Sequence, residues 1–247
     1  MKKLVLVFVA LFSFQTAIAE EITLVRGGSD TGTTSQRSNL YTVALEDLGY
    51  TVKRPSSMPS DRVAELLLST SEPVIVPWTS SHGTKIPLDF TLDNFVGLEY
   101  SAPLYVCTIN EGVEMQTAKV GHARTNPVNA VKKMGYKIFI PYKNNSAAEN
   151  AALSGEIDMI YTNQKGATKL KKTGIGCTVV PEIAQHMFLL AANVDMDKLR
   201  KTFAKGLNHE EFVTWQNNAG VNNNMATGNP QTDFELVKDS YAQWGDL

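Results

Sequence analysis

Cysteine and histidine are scarce: two and four residues in a chain of 247. The spacing of Cys107 and Cys177 fits no zinc motif, and His82, His122, His186 and His209 form no paired-ligand pattern. No phosphate-binding P-loop occurs, and Ser80 and Ser81 beside His82 lack the Gly-x-Ser-x-Gly frame of a nucleophile elbow. These gaps leave little room for metal, nucleotide or serine-hydrolase chemistry. Basic charge is not in excess, with 23 Lys and Arg against 25 Asp and Glu, so nothing draws the chain as a whole to nucleic acid. There is no low-complexity tract and no solenoid-type repeat. After the first residues no apolar run is long enough to span a membrane.

The first residues differ from the rest. Lys2 and Lys3 precede an apolar run, Leu4 to Phe14, and Ala17-Ile18-Ala19 is a small-x-small cleavage site. Residues 1–19 are therefore expected to be a secretory signal peptide, with a mature chain starting at Glu20. That implies an oxidising periplasm, where Cys107 and Cys177 can bridge. Two unpaired buried thiols fit the sequence equally well, since spacing does not show that the two backbones approach.

The mature sequence alternates strand and helix patterns, the mark of an α/β fold with largely parallel sheets. "ITLVR" predicts a strand. Thr34 or Ser35 can cap a helix running to Leu48, with Leu40, Ala44 and Leu48 as its buried stripe and Gly49 closing it. "YTVKR", a helix opened near Pro59, and "PVIVP" follow. A second block repeats the pattern. "LYVCTI" and "KVGHA" read as strands. Asn126 stands as an N-cap before Pro127, and "YKIFIPY" is a strand. Ser146 and Glu149 make a capping box, "IDMIY" is a strand, "QKGATKLKKTG" a short basic helix, and "CTVV" a strand. "HMFLLAAN" reads as a strand or a crossing segment, and three helices follow. The expected organisation is two lobes, 20–104 with 184–247 and 105–183, joined by two crossings around a cleft.

In open α/β sheets ligands bind beyond the carboxyl ends of the strands. Four strand-end loops are therefore candidates. Gly27, Gly28, Ser29, Asp30, Thr31, Thr33 and Thr34 combine glycines, which let a ligand approach the backbone, with hydroxyls at a helix start. The second loop, Trp78 to His82, offers an aromatic platform, the hydroxyls of Thr79, Ser80 and Ser81, and a histidine. Arg124, Thr125 and Asn126 bring a guanidinium suited to gripping a carboxylate. The fourth loop is Tyr142 to Asn145, with Tyr161-Thr162-Asn163 expected close to it. A helix start from each lobe facing the other would clamp a small di- or tricarboxylate.

With these residues in view, the chain resembles the substrate-binding receptors of tripartite tricarboxylate transporters, the Bug-type periplasmic proteins. The likeness rests on Gly27-Gly28-Ser29-Asp30 followed by a helix bearing Arg37, on "LDNFVGLEYSAPLYV", and on Pro141-Tyr142-Lys143. Further matches are Gly155 with Asp158 and "KLRKTFAKGLNHEEFVTWQNNAG". The resemblance implies a type II periplasmic-binding fold and a monomeric receptor without cofactor or catalysis. It also implies capture of a small-molecule carboxylate for integral-membrane transporter subunits. A receptor for another small anion or an amino acid, a sensory partner, or an exported hydrolase using His82 are the alternatives.

Overall fold

The computed structural model describes residues 20–27, 33–84, 89–221 and 226–246; the expected signal peptide, residues 1–19, lies outside them. The strands are β1 (Glu21–Leu24), β2 (Thr51–Lys53), β3 (Val74–Thr79), β4 (Phe95–Thr108), β5 (Lys119–Ala123), β6 (Ile138–Tyr142), β7 (Met159–Asn163) and β8 (Cys177–Ala192). The helices are α1 (Thr33–Asp47), α2 (Ser60–Ser69), α3 (Asn129–Lys133), α4 (Asn145–Leu153), α5 (Gln164–Lys171), α6 (Met196–Gly206), α7 (Glu210–Ala219) and α8 (Pro230–Asp246), with a 3-10 turn at Ser80–Thr84.

These strands form one sheet in the order β2-β1-β3-β8-β4-β7-β5-β6. Its two ends are parallel, as the alternating pattern predicts: β1 pairs with β2 and β3, and β5 with β6 and β7. The middle is antiparallel, because β4 runs from one half to the other and β8 runs back. The segments read as separate pieces, "CTVV" and "HMFLLAAN", belong to this one returning strand of 16 residues. "LYVCTI" is the far end of the 14-residue β4. Pairing between the two breaks where they cross: Pro103 opposes Ala184, but Tyr105 opposes Val179, leaving a bulge on β8.

The hydrophobic cores divide along the same line. In one half, Trp78, Phe90, Phe95 and Phe188 pack under α2 and α8 on one face of the sheet. Tyr41, Leu189, Leu199, Phe203 and Phe212 pack under α1, α6 and α7 in another cluster. In the other half, Leu104, Val120, Val131 and Tyr161 form one cluster, and Cys107, Ala148, Ala152, Ile160 and Leu170 form the next. The C-terminal helices return to the first half: α6 and α8 pack on β4, and α8 also meets the 3-10 turn.

Local signals hold at many ends. Gly49 closes α1 at φ 88°, a conformation that a Cβ would strain. The buried stripe of α1 differs from the one expected. Ala44 is buried as expected, but Leu40 and Leu48 are only partly buried, and the helix also turns Arg37, Ser38, Tyr41 and Leu45 inward. The reason is a buried ion pair: the Arg37 guanidinium grips the Glu99 carboxylate of β4 through two nitrogens, and both side chains are fully buried. Arg37 also donates to the Trp78 carbonyl at 3.4 Å and points Nη1 at the Met187 sulfur at 3.0 Å. Burial works against the Arg37 charge, and the Glu99 carboxylate more than offsets it, so its pKa stands above the usual arginine value. Cys107 and Cys177 face each other across β4 and β8 and are joined in a disulfide.

Candidate functional site

A cavity of about 150 Å³ opens between the two parallel halves, where their strand ends face each other. From the first half come Thr34 at the start of α1, Thr79 ending β3, and Ser81 and His82 of the turn after it. Thr125 after β5, Asn144, Asn145 and Ser146 after β6, and Asn163 ending β7 come from the second half. Glu149 of α4, Lys165 and Lys169 of α5, and Gln185 and Met187 of the crossing strand β8 complete the wall. At roughly 30 Å³ per water, the space equals about five waters, enough for a small polar molecule.

Two helix starts face this space. Asn144 caps α4, its Oδ1 accepting from the Ala147 N–H at 2.9 Å. Asn163 caps α5 in the same way, accepting from Gly166 N–H at 3.0 Å. Helix starts carry partial positive charge, so both favour an anion. Lys165 and Lys169 lie one turn apart on α5, on its cavity side. The Lys165 ammonium donates to Gln36 Oε1 at 2.7 Å, a link from α5 to α1 across the two halves. Burial lowers its pKa, with Glu149 opposing and Lys169 adding to the effect. Lys169 pairs with Glu149 at 3.2 Å. His82 stands edge-on to Trp78, ring centres 4.4 Å apart. Burial, helped by the Arg37 charge, brings its pKa down to about 4, so it is neutral at pH 7.

The crossing strand is tied to the first half by hydroxyls. Gln185 Nε2 donates to Ser81 Oγ at 2.9 Å, and the His186 N–H donates to Ser80 Oγ at 2.9 Å. Ser81 and Gln185 in the wall, and Ser80 and His186 behind it, therefore hold the crossing strand in place.

Of the loops that sequence reading put forward, Thr34, Thr79, Ser81, His82, Thr125, Asn144, Asn145 and Asn163 line the cavity. Thr33 begins α1, and its side chain lies outside the described residues, as do Gly28, Ser29, Asp30 and Thr31 altogether. Gly27 forms a parallel bridge with Met58. The remaining candidates do not line the cavity. Trp78 belongs to β3, not to the loop after it, and at 1% exposure is a core residue beneath the wall. Ser80 is spent on His186. Arg124 is exposed. Asn126 does not cap α3, whose first turn begins later, after Val128. It is buried, and its Nδ2 reaches Asn145 Oδ1 at 3.2 Å and the Tyr161 carbonyl at 3.4 Å. It thus holds the loop after β5 against the start of α4. Tyr142 turns outward and donates to Glu156 at 2.7 Å, while Tyr161 is enclosed in the core. The α4 cap is Asn144, two residues before the expected Ser146.

The cavity residues that the sequence reading did not place there are chiefly Glu149, Lys165 and Lys169, with Gln185 and Met187. A signal existed for the lysines, a basic helix directly after a strand end. Nothing local told which of its turns would face the other half.

No protein-family model and no curated protein sequence matches the chain. Solved structures do. The structure titled MatC from Rhodopseudomonas palustris with bound malate aligns at TM-score 0.71 and 13% identity, over 92% of this chain and 98% of that one. Rpa4515 of R. palustris with adipate aligns at TM-score 0.72 and 15% identity, over 93% and 96%. The periplasmic binding protein BugD aligns at 0.69 and 15%, over 92% and 96%. The chain has the α/β fold of periplasmic binding proteins, and the resemblance to Bug-type receptors holds at the level of that fold.

Proposed function

We propose that this protein is an exported solute-binding receptor that captures a small organic carboxylate between two lobes and hands it to an integral-membrane transporter of the tripartite tricarboxylate type. One observation carries the reading. Two halves with separate cores place their strand ends, two helix starts and two lysines around one small polar cavity. Such a cavity suits an anion, and the MatC and Rpa4515 structures of like fold carry malate and adipate.

In this reading residues 20–104 with 184–247 and residues 105–183 are lobes, and the bulge near Pro103 and Ala184 is the hinge. Ligand binding moves an open–closed equilibrium. The role contains no bond-making step. Among the described residues no helix is long and apolar enough to cross a membrane, in keeping with release after export.

The test is native mass spectrometry of protein purified from its own periplasm, followed by calorimetry with the acid found. A di- or tricarboxylate is the first expectation. At a ligand concentration of about 100 times Kd, stability rises by about 2.7 kcal/mol, which a thermal-shift scan reads directly. An exported form whose mass does not begin at Glu20 would contradict the signal-peptide part, and no response to any carboxylate would contradict the receptor part.

A further inference from the structure

Helix α5 turns its apolar side to its own half, where Ala167 and Leu170 pack with Cys107, Ala148 and Ile160. What it shows to the other half is polar. Gln164 and Thr168 meet the end of α7, and Lys165 meets α1. Gly220 caps α7 at φ 68°, and a Cβ there would stand 2.6 Å from Thr168 Oγ1. The backbone of the first half thus lies directly against α5.

Gln36 is the centre of this contact. Its Oε1 accepts the Lys165 ammonium at 2.7 Å and the Trp215 indole N–H at 3.4 Å, so one donor comes from each half. An amide oxygen has lone pairs for both. Trp215 is fixed in the first half, tilted against Tyr100 and Phe212 with ring centres 5.8 and 5.9 Å away. Lys165 lines the cavity and also a groove of about 320 Å³, which Gln36, Thr168 and Trp215 line with it. The junction therefore stands between the cavity and the outside. Among the described residues, the charged neighbours of Lys165 are Glu149 and Lys169. Both belong to its own half, so they move with it and favour neither an open nor a closed arrangement. Water can replace the Lys165–Gln36 bond when the halves part, so the contact is reversible.

We infer that Gln36 is a latch: by holding Lys165 of one half to the fixed Trp215 of the other, it biases the molecule toward the closed arrangement before any ligand enters. This rests on the two-lobed receptor reading above and adds a contact that sets its open–closed balance. A hydrogen bond from a charged donor is stronger than a neutral one. Its loss should move that balance about tenfold toward the open form.

The experiment is small-angle X-ray scattering of the ligand-free mature chain, followed by calorimetry with malate. Gln36→Leu removes the acceptor, and Gln36→Glu keeps it and adds charge attraction to Lys165. The radius of gyration is expected to be larger than wild type in Gln36→Leu and no larger than wild type in Gln36→Glu. Lys165→Met cuts the same bond from the other half and should match Gln36→Leu, which keeps the test decisive if Gln36→Leu does not fold. Malate binding to Gln36→Leu should weaken by about three- to tenfold, since affinity scales with the closed fraction. Equal radii for the Leu and Glu variants overturn the latch, as do equal radii for Lys165→Met and wild type. The scattering uses no ligand, so the receptor reading survives either result. Radii in the expected order, with no carboxylate bound by the wild type, overturn the receptor reading and leave the latch standing.

Discussion

The disulfide between Cys107 and Cys177 joins residues 70 apart, the end of β4 and the start of β8, and so encloses nearly the whole second half of the sheet. Removing the bridge frees that loop in the unfolded chain. The loop-closure entropy for 70 residues is about 15 cal/mol/K, or about 4.4 kcal/mol at 25 °C. At about 2–4 °C per kcal/mol for a domain of this size, the melting point should fall by about 9–18 °C. The assay is differential scanning calorimetry of a Cys107→Ala/Cys177→Ala variant against the wild type. The wild type reduced with a thiol is the control, since it keeps every side-chain atom and separates the lost cross-link from lost packing. Because the bridge closes only one half, a wild-type scan that resolves two transitions should show the loss mainly in one of them. A reduced protein that melts within about 3 °C of the oxidised one, at most about 1.5 kcal/mol on the same conversion, would refute the chain-entropy argument.

The Arg37–Glu99 pair gives a second test. Arg37→Met leaves a buried carboxylate without its partner and should lower stability by about 3–5 kcal/mol, while Arg37→Met with Glu99→Leu should recover much of that loss. Urea midpoints decide it, and a single variant as mild as the double would refute it. His186 is 3% exposed, and burial brings its pKa from 6.5 down to about 4. A depressed histidine makes the neutral form the folded form, so stability is full above about pH 6.5 and is lost as pH falls toward 4. At pH 5 this one group should remove about 2 kcal/mol, and His186→Gln should flatten the slope of midpoint against pH. Gly166→Ala would press a methyl against Thr162 Oγ1 and the Glu149 carboxylate. It should destabilise by about 1–3 kcal/mol, read by chemical denaturation, and a neutral result would mean α5 has room to shift.

Much of the fold was legible because its signals are local. Strand and helix alternation, the stop at Gly49 and the four strand-end loops need only a residue and its near neighbours, and each such loop contributes a residue to the cavity or to its immediate support. Other features were out of reach for the same reason. β4 and β8 are buried through most of their length, so neither shows the alternation that would mark one continuous strand. The inward turn of Arg37 depends on Glu99, 62 residues away. The bridge needed the β4–β8 register, which no spacing between Cys107 and Cys177 reveals. Arg124 and Lys165 are both cations beside strand ends, and sequence could not rank them. Packing left one exposed and put the other in the cavity wall against Gln36. The chain by itself determined which segments would be strands, helices and polar turns, since hydrogen bonding within a few residues settles that. Only the tertiary structure decided which polar groups meet, because that depends on two distant halves packing face to face.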